Sequence, residues 1–270
     1  MMRRVFHTIS LAVLGVTMLI PFLWMISTSL MSDVEVYQFP PRLWPAHPRW
    51  ENYGNALSML PFGRFFLNSI IVTVVSVIGQ LVTCSMAAYA FSRLRFRGRD
   101  TLFTAFLATM MVPSIVTLIP AYLVITAFGW MNTYWALFTP LLTSVWGIFL
   151  LRQFFQTLPR DYEDAARLDG AGEWTIYWRV ILPLSRPALA TLAVFAFMNT
   201  WKDFLWPLLV TTRNDMRTVE VGIAMFSTLY GTNWPYQMAS AVVVLLPILV
   251  LFFLTQRYFI DGISLTGLKS

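Results

Sequence analysis

Residues 158–183 read LPRDYEDAARLDGAGEWTIYWRVILP. Eight of these 26 residues are charged, against 12% for the 270-residue chain, so the stretch belongs in water. Asp161 is the expected helix N-cap, with Glu163 and Asp164 in the first turn, where the exposed amide dipoles favour negative charge. Gly170 is placed to stop that helix in a left-handed conformation. From Glu173 to Val180 the aromatics Trp174, Tyr177 and Trp178 recur at helical spacing, and Pro183 is expected to close this second helix. The spacing therefore predicts two short helices at a sharp turn, with Ala165 and Ala166 leaving a bare patch that another protein's surface can approach closely.

On either side the chain loses its charge. No Asp, Glu, Lys or Arg occurs between Arg4 and Asp33, Arg64 and Arg93, Asp100 and Arg152, or Glu220 and Arg257. A membrane-crossing helix needs about 20 mostly apolar residues, and each gap supplies them. With 57% hydrophobic residues, about ten points above a soluble domain, the composition excludes an ordinary soluble fold. The gap from Thr101 to Leu151 is too long for one helix and is punctuated by Gly129-Trp130-Met131-Asn132-Thr133, which reads as a tight turn. Tyr230-Gly231-Thr232-Asn233-Trp234-Pro235 divides the last gap in the same way. The predicted fold is all-α: one polytopic membrane domain, 1–270, with six spans at about 9–30, 67–91, 102–126, 134–154, 187–210 and 238–258, and a connecting segment at 155–186. The first apolar run reaches Ser32 with no Ala-x-Ala-like site after it, so it reads as a retained helix and not a cleaved signal.

Six spans put both termini on one side, and the Lys/Arg bias chooses which. With the N-terminus inside, thirteen of the 19 Lys and Arg fall in inner segments, among them Arg93, Arg95, Arg97, Arg99, Arg152, Arg160 and Arg167. Arg42, Arg49, Arg64, Arg213 and Arg217 fall outside, and Lys202 lies within a span. Both termini and the 155–186 segment are thus expected in the cytoplasm. The net charge of +6 is scattered over short loops, which argues for membrane orientation and against nucleic acid. The single cysteine, Cys84, and the two histidines, His7 and His47, offer neither a disulfide nor a metal-ligand spacing. The tail 262–270 falls short of a phosphate loop because Leu268 stands between Gly267 and Lys269. No nucleotide site, cofactor site or catalytic constellation is expected on this chain.

The 158–183 segment resembles the cytoplasmic motif of bacterial ABC-importer permeases: Glu-Ala-Ala, three residues, Gly, nine residues, then Ile-x-Leu-Pro. Here it runs Asp164-Ala165-Ala166, Gly170 and Val180-Ile181-Leu182-Pro183, with Asp for Glu and Val for Ile. Phe91-Ser92-Arg93-Leu94-Arg95-Phe96-Arg97-Gly98, Leu151-Arg152-Gln153-Phe154-Phe155, Asp203-Phe204-Leu205-Trp206-Pro207-Leu208 and Gln256-Arg257-Tyr258-Phe259 are similar to the carbohydrate-uptake branch. The closest likeness is to the smaller, six-span permease of a heteromeric pair in maltose-type and glycerol-phosphate-type importers. The resemblance implies a type I importer permease fold in a bacterial inner membrane. It also implies a second homologous permease, two ATPase subunits carrying ATP and Mg, and an extracytoplasmic sugar-binding protein. Asp164, Ala165, Ala166, Gly170, Val180, Leu182 and Pro183 would form the coupling helix seated in the ATPase.

Two further groups stand out. Asn199, Lys202 and Asp203 in the fifth span are expensive in lipid, and read either as part of a translocation path or as inter-helix anchors. Tyr230, Trp234 and Tyr236 suit contact with a binding protein or a sugar, or plain loop packing. Asn68, Ser69, Thr73, Ser76, Gln80 and Thr83 along the second span are expected to make interhelical hydrogen bonds. Pro21, Pro113, Pro120, Pro140, Pro207 and Pro247 are read mostly as the ordinary proline content of membrane helices. An alternative function is an ion-coupled secondary transporter using Lys202 and Asp203. Its uptake would need no ATPase and would fail when the ion gradient collapses.

Overall fold

A computed structural model describes the backbone of residues 2–228 and 231–266, and side chains from 7 to 228 and 231 to 256. The apolar runs become helices. Three are long and apolar enough to cross a membrane alone: His7–Ser29 within α1 (Met2–Ser29), α4 (Phe62–Arg93), and Trp234–Gln256 within α15 (Trp234–Thr266). The helices α2 (Asp33–Val36) and α3 (Glu51–Met59) lie between the first two.

The remaining three runs are bent pairs. Helices α5 (Arg99–Thr109) and α6 (Ser114–Ala127) meet at 96°, where the sequence predicts one span over 102–126. The cause is Pro113, which has no N–H to donate and sits in an extended conformation, φ −59°, ψ 135°. Ahead of it the amides of Met110, Met111 and Val112 bond back only three residues, to Leu107, Ala108 and Thr109, and the helix tightens and stops. The second pair is α7 (Tyr134–Phe138), extended by a 3₁₀ turn at Thr139–Leu141, with α8 (Val145–Thr157), bent by 40°. Helices α9 (Asp161–Leu168) and α10 (Glu173–Ile176) follow.

The third pair bends by 78° between Glu173–Leu184 and α12 (Arg186–Trp201). Pro183 does not close the helix begun by α10. The chain runs on through a π-helical turn, Tyr177–Ile181, into α11 (Leu182–Leu184). The Leu182 amide reaches back to Tyr177 O, the five-residue bond of a π turn; next to a proline that cannot donate at all, the wider turn re-aims the backbone without ending it. The helix ends instead at Ser185, φ −96°, ψ 11°. The fifth span is also shorter than expected: α12 stops at Trp201, and α13 (Leu205–Val210) begins separately. Lys202 and Asp203 therefore occupy a helix junction, where Asp203 Oδ1 accepts from the Trp206 amide at 3.3 Å. Helix α14 (Val219–Ala224) and a two-stranded hairpin, β1 (Ser227–Thr228) antiparallel to β2 (Gly231–Thr232), complete the fold.

The chain divides into two compact units, Met1–Phe65 with Val219–Pro247, and Phe66–Thr218 with Ile248–Ser270. In the first, Asn52 Nδ2 donates to Ser29 O, a carbonyl that the end of α1 leaves free, and to Met31 O just beyond it, each at 2.9 Å. The Phe62 ring stacks on Phe226 at 6.0 Å. In the second unit, α4, α5, α8, α10, the π turn and α12 share a core of Ala88, Phe103, Leu151, Phe155, Ile176, Ile181 and Leu192. Gly147 allows this packing: a Cβ there would lie 2.8 Å from Leu192 Cδ1, closer than side chains approach. The α7–α8 break is held by α4. Gln80 Nε2 donates to Leu141 O (2.9 Å) and Thr83 Oγ1 to Leu142 O (2.8 Å), giving partners to carbonyls that the helix has released. These are interhelical bonds, as the sequence suggests for the polar residues of this span.

Candidate functional site

The elbow predicted at 158–183 is present, and its geometry follows from a few residues. Helix α9 begins one residue earlier than expected. Arg160 is the N-cap with no side-chain bond to the helix, and Asp161 is the first helical residue. Asp161, Glu163 and Asp164 still lie in the first turn, where the helix dipole favours them. At the other end Gly170 has φ +80°, its amide bonds to Arg167 O at 3.0 Å, and the Ala171 amide reaches Ala166 O at 2.9 Å. That pair of bonds is the Schellman stop. No atom lies within 4 Å of a Cβ built at Gly170, so the requirement for glycine is conformational. Gly172 then caps α10 from an extended conformation.

The elbow is fastened to α4 by pairings that the sequence does not show. Glu163 is buried, and its Oε1 lies 3.0 Å from Arg93 Nε, both side chains being 3% exposed. Arg93 Nη2 also donates to Phe155 O and, at 2.8 Å, to Leu158 O. One guanidinium at the end of α4 thus holds the end of α8, the connecting turn and α9. Tyr89 donates to Glu173 Oε2 at 2.6 Å, and the Ser85 and Tyr177 hydroxyls meet at 2.7 Å. Arg167 lies between three carboxylates: Asp164 and Glu173 at 3.1 Å and Glu163 at 3.5 Å. Its hydrogen bond to Glu173 is the largest cause of a pKa raised above the usual arginine value.

The residues matched to the motif divide between two faces. Asp164, Ala165 and Gly170 are exposed. Ala166, Val180 and Leu182 pack against the core of the second unit, so only Ala165 of the alanine pair is open to an approaching surface. Pro183 is exposed. The outward face also carries Leu168, 90% exposed, with Trp174 and Trp178. An elbow of this kind, pinned at several points, can transmit a rigid displacement where a loose loop would absorb it.

The other candidates lie apart from the elbow. Asn199 and Lys202 are exposed and Asp203 half-buried, at the α12–α13 junction. Trp234 lines a cavity of about 220 Å³ with Trp24, Glu35 and Arg42. Tyr236 packs edge-on against Phe226 at 6.1 Å. Tyr230 lies outside the described residues. Glu163 was detectable in principle: it precedes Ala166 by three residues and so shares its inward face.

Residues 80–264 match the family described as "Binding-protein-dependent transport system inner membrane component". The chain is 37% identical over 208 residues to the arabinooligosaccharides transport system permease protein AraQ of Halalkalibacterium halodurans, covering 77% of this chain and 75% of that one. It is 35% identical over 241 residues to the sn-glycerol-3-phosphate transport system permease protein UgpE of Yersinia pestis, covering 86% of each. Among solved structures, a chain of a bacterial ABC transporter involved in import of the acidic polysaccharide alginate superposes with a TM-score of 0.81 at 25% identity. That match covers 95% of this chain and 97% of the other.

Proposed function

Since the chain belongs to the family of binding-protein-dependent transport system inner membrane components and is a permease subunit of an ABC importer, we propose that its cargo is a carbohydrate and that the α9–α10 elbow is where a partner ATPase acts. The observation that carries the second part is the buried Arg93–Glu163 pair, which joins the elbow to α4, a helix long and apolar enough to span a membrane. A push on the exposed face at Asp164, Ala165 and Gly170 then moves α4 and α8 with it. Val180, Leu182 and Pro183 carry the displacement into α12.

In this reading a second, homologous permease completes the pathway. Two ATPase subunits bind the ATP and Mg, this chain binding no cofactor, and an extracytoplasmic binding protein delivers the sugar. The arginine bias places both termini and the elbow in the cytoplasm of a bacterial cell with the chain multi-pass in its membrane. Asn199, Lys202 and Asp203 lie on the translocation path, and Trp234 and Tyr236, with Tyr230, on the side that meets the binding protein. The cargo assignment is supported by the oligosaccharides named for one relative, while the glycerol phosphate named for the other is the nearest competing cargo class. The ion-coupled alternative gains no support from the family or the relatives.

The test is uptake by vesicles containing the purified complex and its binding protein. Uptake should require internal ATP, stop with vanadate and survive collapse of the ion gradients. Uptake that ignores ATP and stops when the gradients collapse would contradict the proposal.

A further inference from the structure

At the Arg93 end of α4 a cleft of about 700 Å³ opens, lined by Arg95, Phe96, Arg97, Arg99, Asp100 and Arg160 among others. The one carboxylate is already engaged, Asp100 lying 3.1 Å from Arg99 and 3.5 Å from Arg152. Arg95, Arg97 and Arg160 form no ion pair among the described residues. Guanidiniums gathered in one cleft repel each other, and their planar donor forks fit phosphate oxygens.

Depth and shape identify the anion. The cleft begins two residues after Arg93, the last residue of a membrane-length helix, and ends in the first turn of α5, where the next apolar run starts. That is the level of lipid headgroups. Phe96, 42% exposed, puts an apolar ring among the charges, which a hydrated free anion does not use and a lipid's glycerol and acyl chains do. We propose that this cleft binds the phosphate of an anionic phospholipid.

Arg95 and Arg160 also line a neighbouring cleft of about 410 Å³ with Glu163, Asp164 and Arg167. A lipid phosphate held there lies beside the elbow and screens two cations next to its carboxylates. The inference rests on the membrane-spanning reading of α4 and is independent of cargo.

The test uses the importer purified with its partner subunits, in nanodiscs of phosphatidylglycerol and phosphatidylcholine at equal mole fraction. Retained lipid is counted by native mass spectrometry in the resting complex, without ATP or cargo, so an incorrect cargo leaves the result standing. Phosphatidylglycerol should be retained over phosphatidylcholine, and each arginine replaced should reduce the preference by about fivefold. The triple Arg95→Gln, Arg97→Gln, Arg160→Gln variant should show almost none, and the triple Lys variant should keep most of it. Arg97→Gln alone, at an exposed loop position, reads the same effect if the triple variant fails to assemble. An unchanged preference in the Gln variants, no preference in the wild type, or displacement of the lipid by millimolar inorganic phosphate would overturn the proposal.

Discussion

At its Arg93 end α4 meets its neighbours through charge: Arg93 with buried Glu163, Tyr89 with Glu173, and Arg167 shared among three carboxylates. Towards Asn68 the same helix is joined through neutral groups to backbone. Asn68 Nδ2 donates to Asp215 O at 2.9 Å and Arg217 O at 2.8 Å, while its Oδ1 accepts from Tyr134 at 2.8 Å. Nearby, Asn132 Oδ1 accepts from the Thr212 and Arg213 amides at 2.7 and 2.9 Å, and Trp206 Nε1 donates to Ala136 O at 2.8 Å. An amide bonded to main chain fixes one loop in one position. The ion pairs and hydrogen bonds of long side chains instead join whole helices, α4 to α9 and α10. The two ends of one helix are thus held by different chemistry, ion pairs to side chains at one and neutral amides to main chain at the other.

The largest effect should come from half of the buried pair. Arg93→Met leaves the buried Glu163 carboxylate with only the longer 3.5 Å contact to Arg167, and Glu163→Leu leaves the buried Arg93 charge with carbonyls but no carboxylate. Each should cost about 3–5 kcal/mol, read as a lower midpoint in thermal unfolding of the purified complex. The double variant should recover part of that loss, and two singles whose costs simply add would break the comparison. At the neutral end, Asn68→Leu removes the amide that bonds the Asp215 and Arg217 carbonyls and the acceptor of the Tyr134 hydroxyl and should cost about 1–3 kcal/mol, with coupling of hydrolysis to uptake unaffected in what remains folded.

Next comes the stop of α9. Gly170→Ala introduces a side chain at φ +80° and should cost about 1–2 kcal/mol, while Gly170→Asn should cost less, because asparagine tolerates this region. Since space is not limiting there, equal losses in the two variants would mean that a partner and not the backbone demands glycine. The smallest effect lies in the other unit, as a control. Ser32 and Glu35 form a capping box, with the Ser32 amide on Glu35 Oε2 at 2.9 Å and the Glu35 amide on Ser32 Oγ at 3.3 Å. The Ser32 amide bond is the first cause holding the Glu35 carboxyl below its usual pKa. A lowered pKa means that this stabilisation is present at neutral pH and fades as the pH falls through the folded value. Ser32→Ala should cost about 0.5–1 kcal/mol, and Glu35→Gln should remove the corresponding acid sensitivity, both read from thermal midpoints across pH.

The apolar runs were legible because a gap in charge is a local property of the chain. The breaks within them were not. Hydropathy is the same whether a run is one helix or two, and what turns α5 from α6 is the missing donor of Pro113, whereas α1 and α6 run on through Pro21 and Pro120. The stop at Gly170 could be read, since the left-handed turn is a property of that residue. The partner of Glu163 could not, because Arg93 is seventy residues away and nothing local couples them. The junction at Lys202 and Asp203 between α12 and α13 was not legible either, because an apolar run on both sides does not show where its helix stops.

The most direct measurement is a crosslink from the outward face of the elbow. Leu168 is 90% exposed, and the native Cys84 is buried, so a Leu168→Cys variant presents one reactive thiol. With a short bifunctional reagent it should join this chain to an ATPase subunit, at a yield that changes when ATP is added, and uptake should stop in the crosslinked fraction. A thiol that never captures an ATPase, or crosslinked complexes that import as well as free ones, would contradict the account.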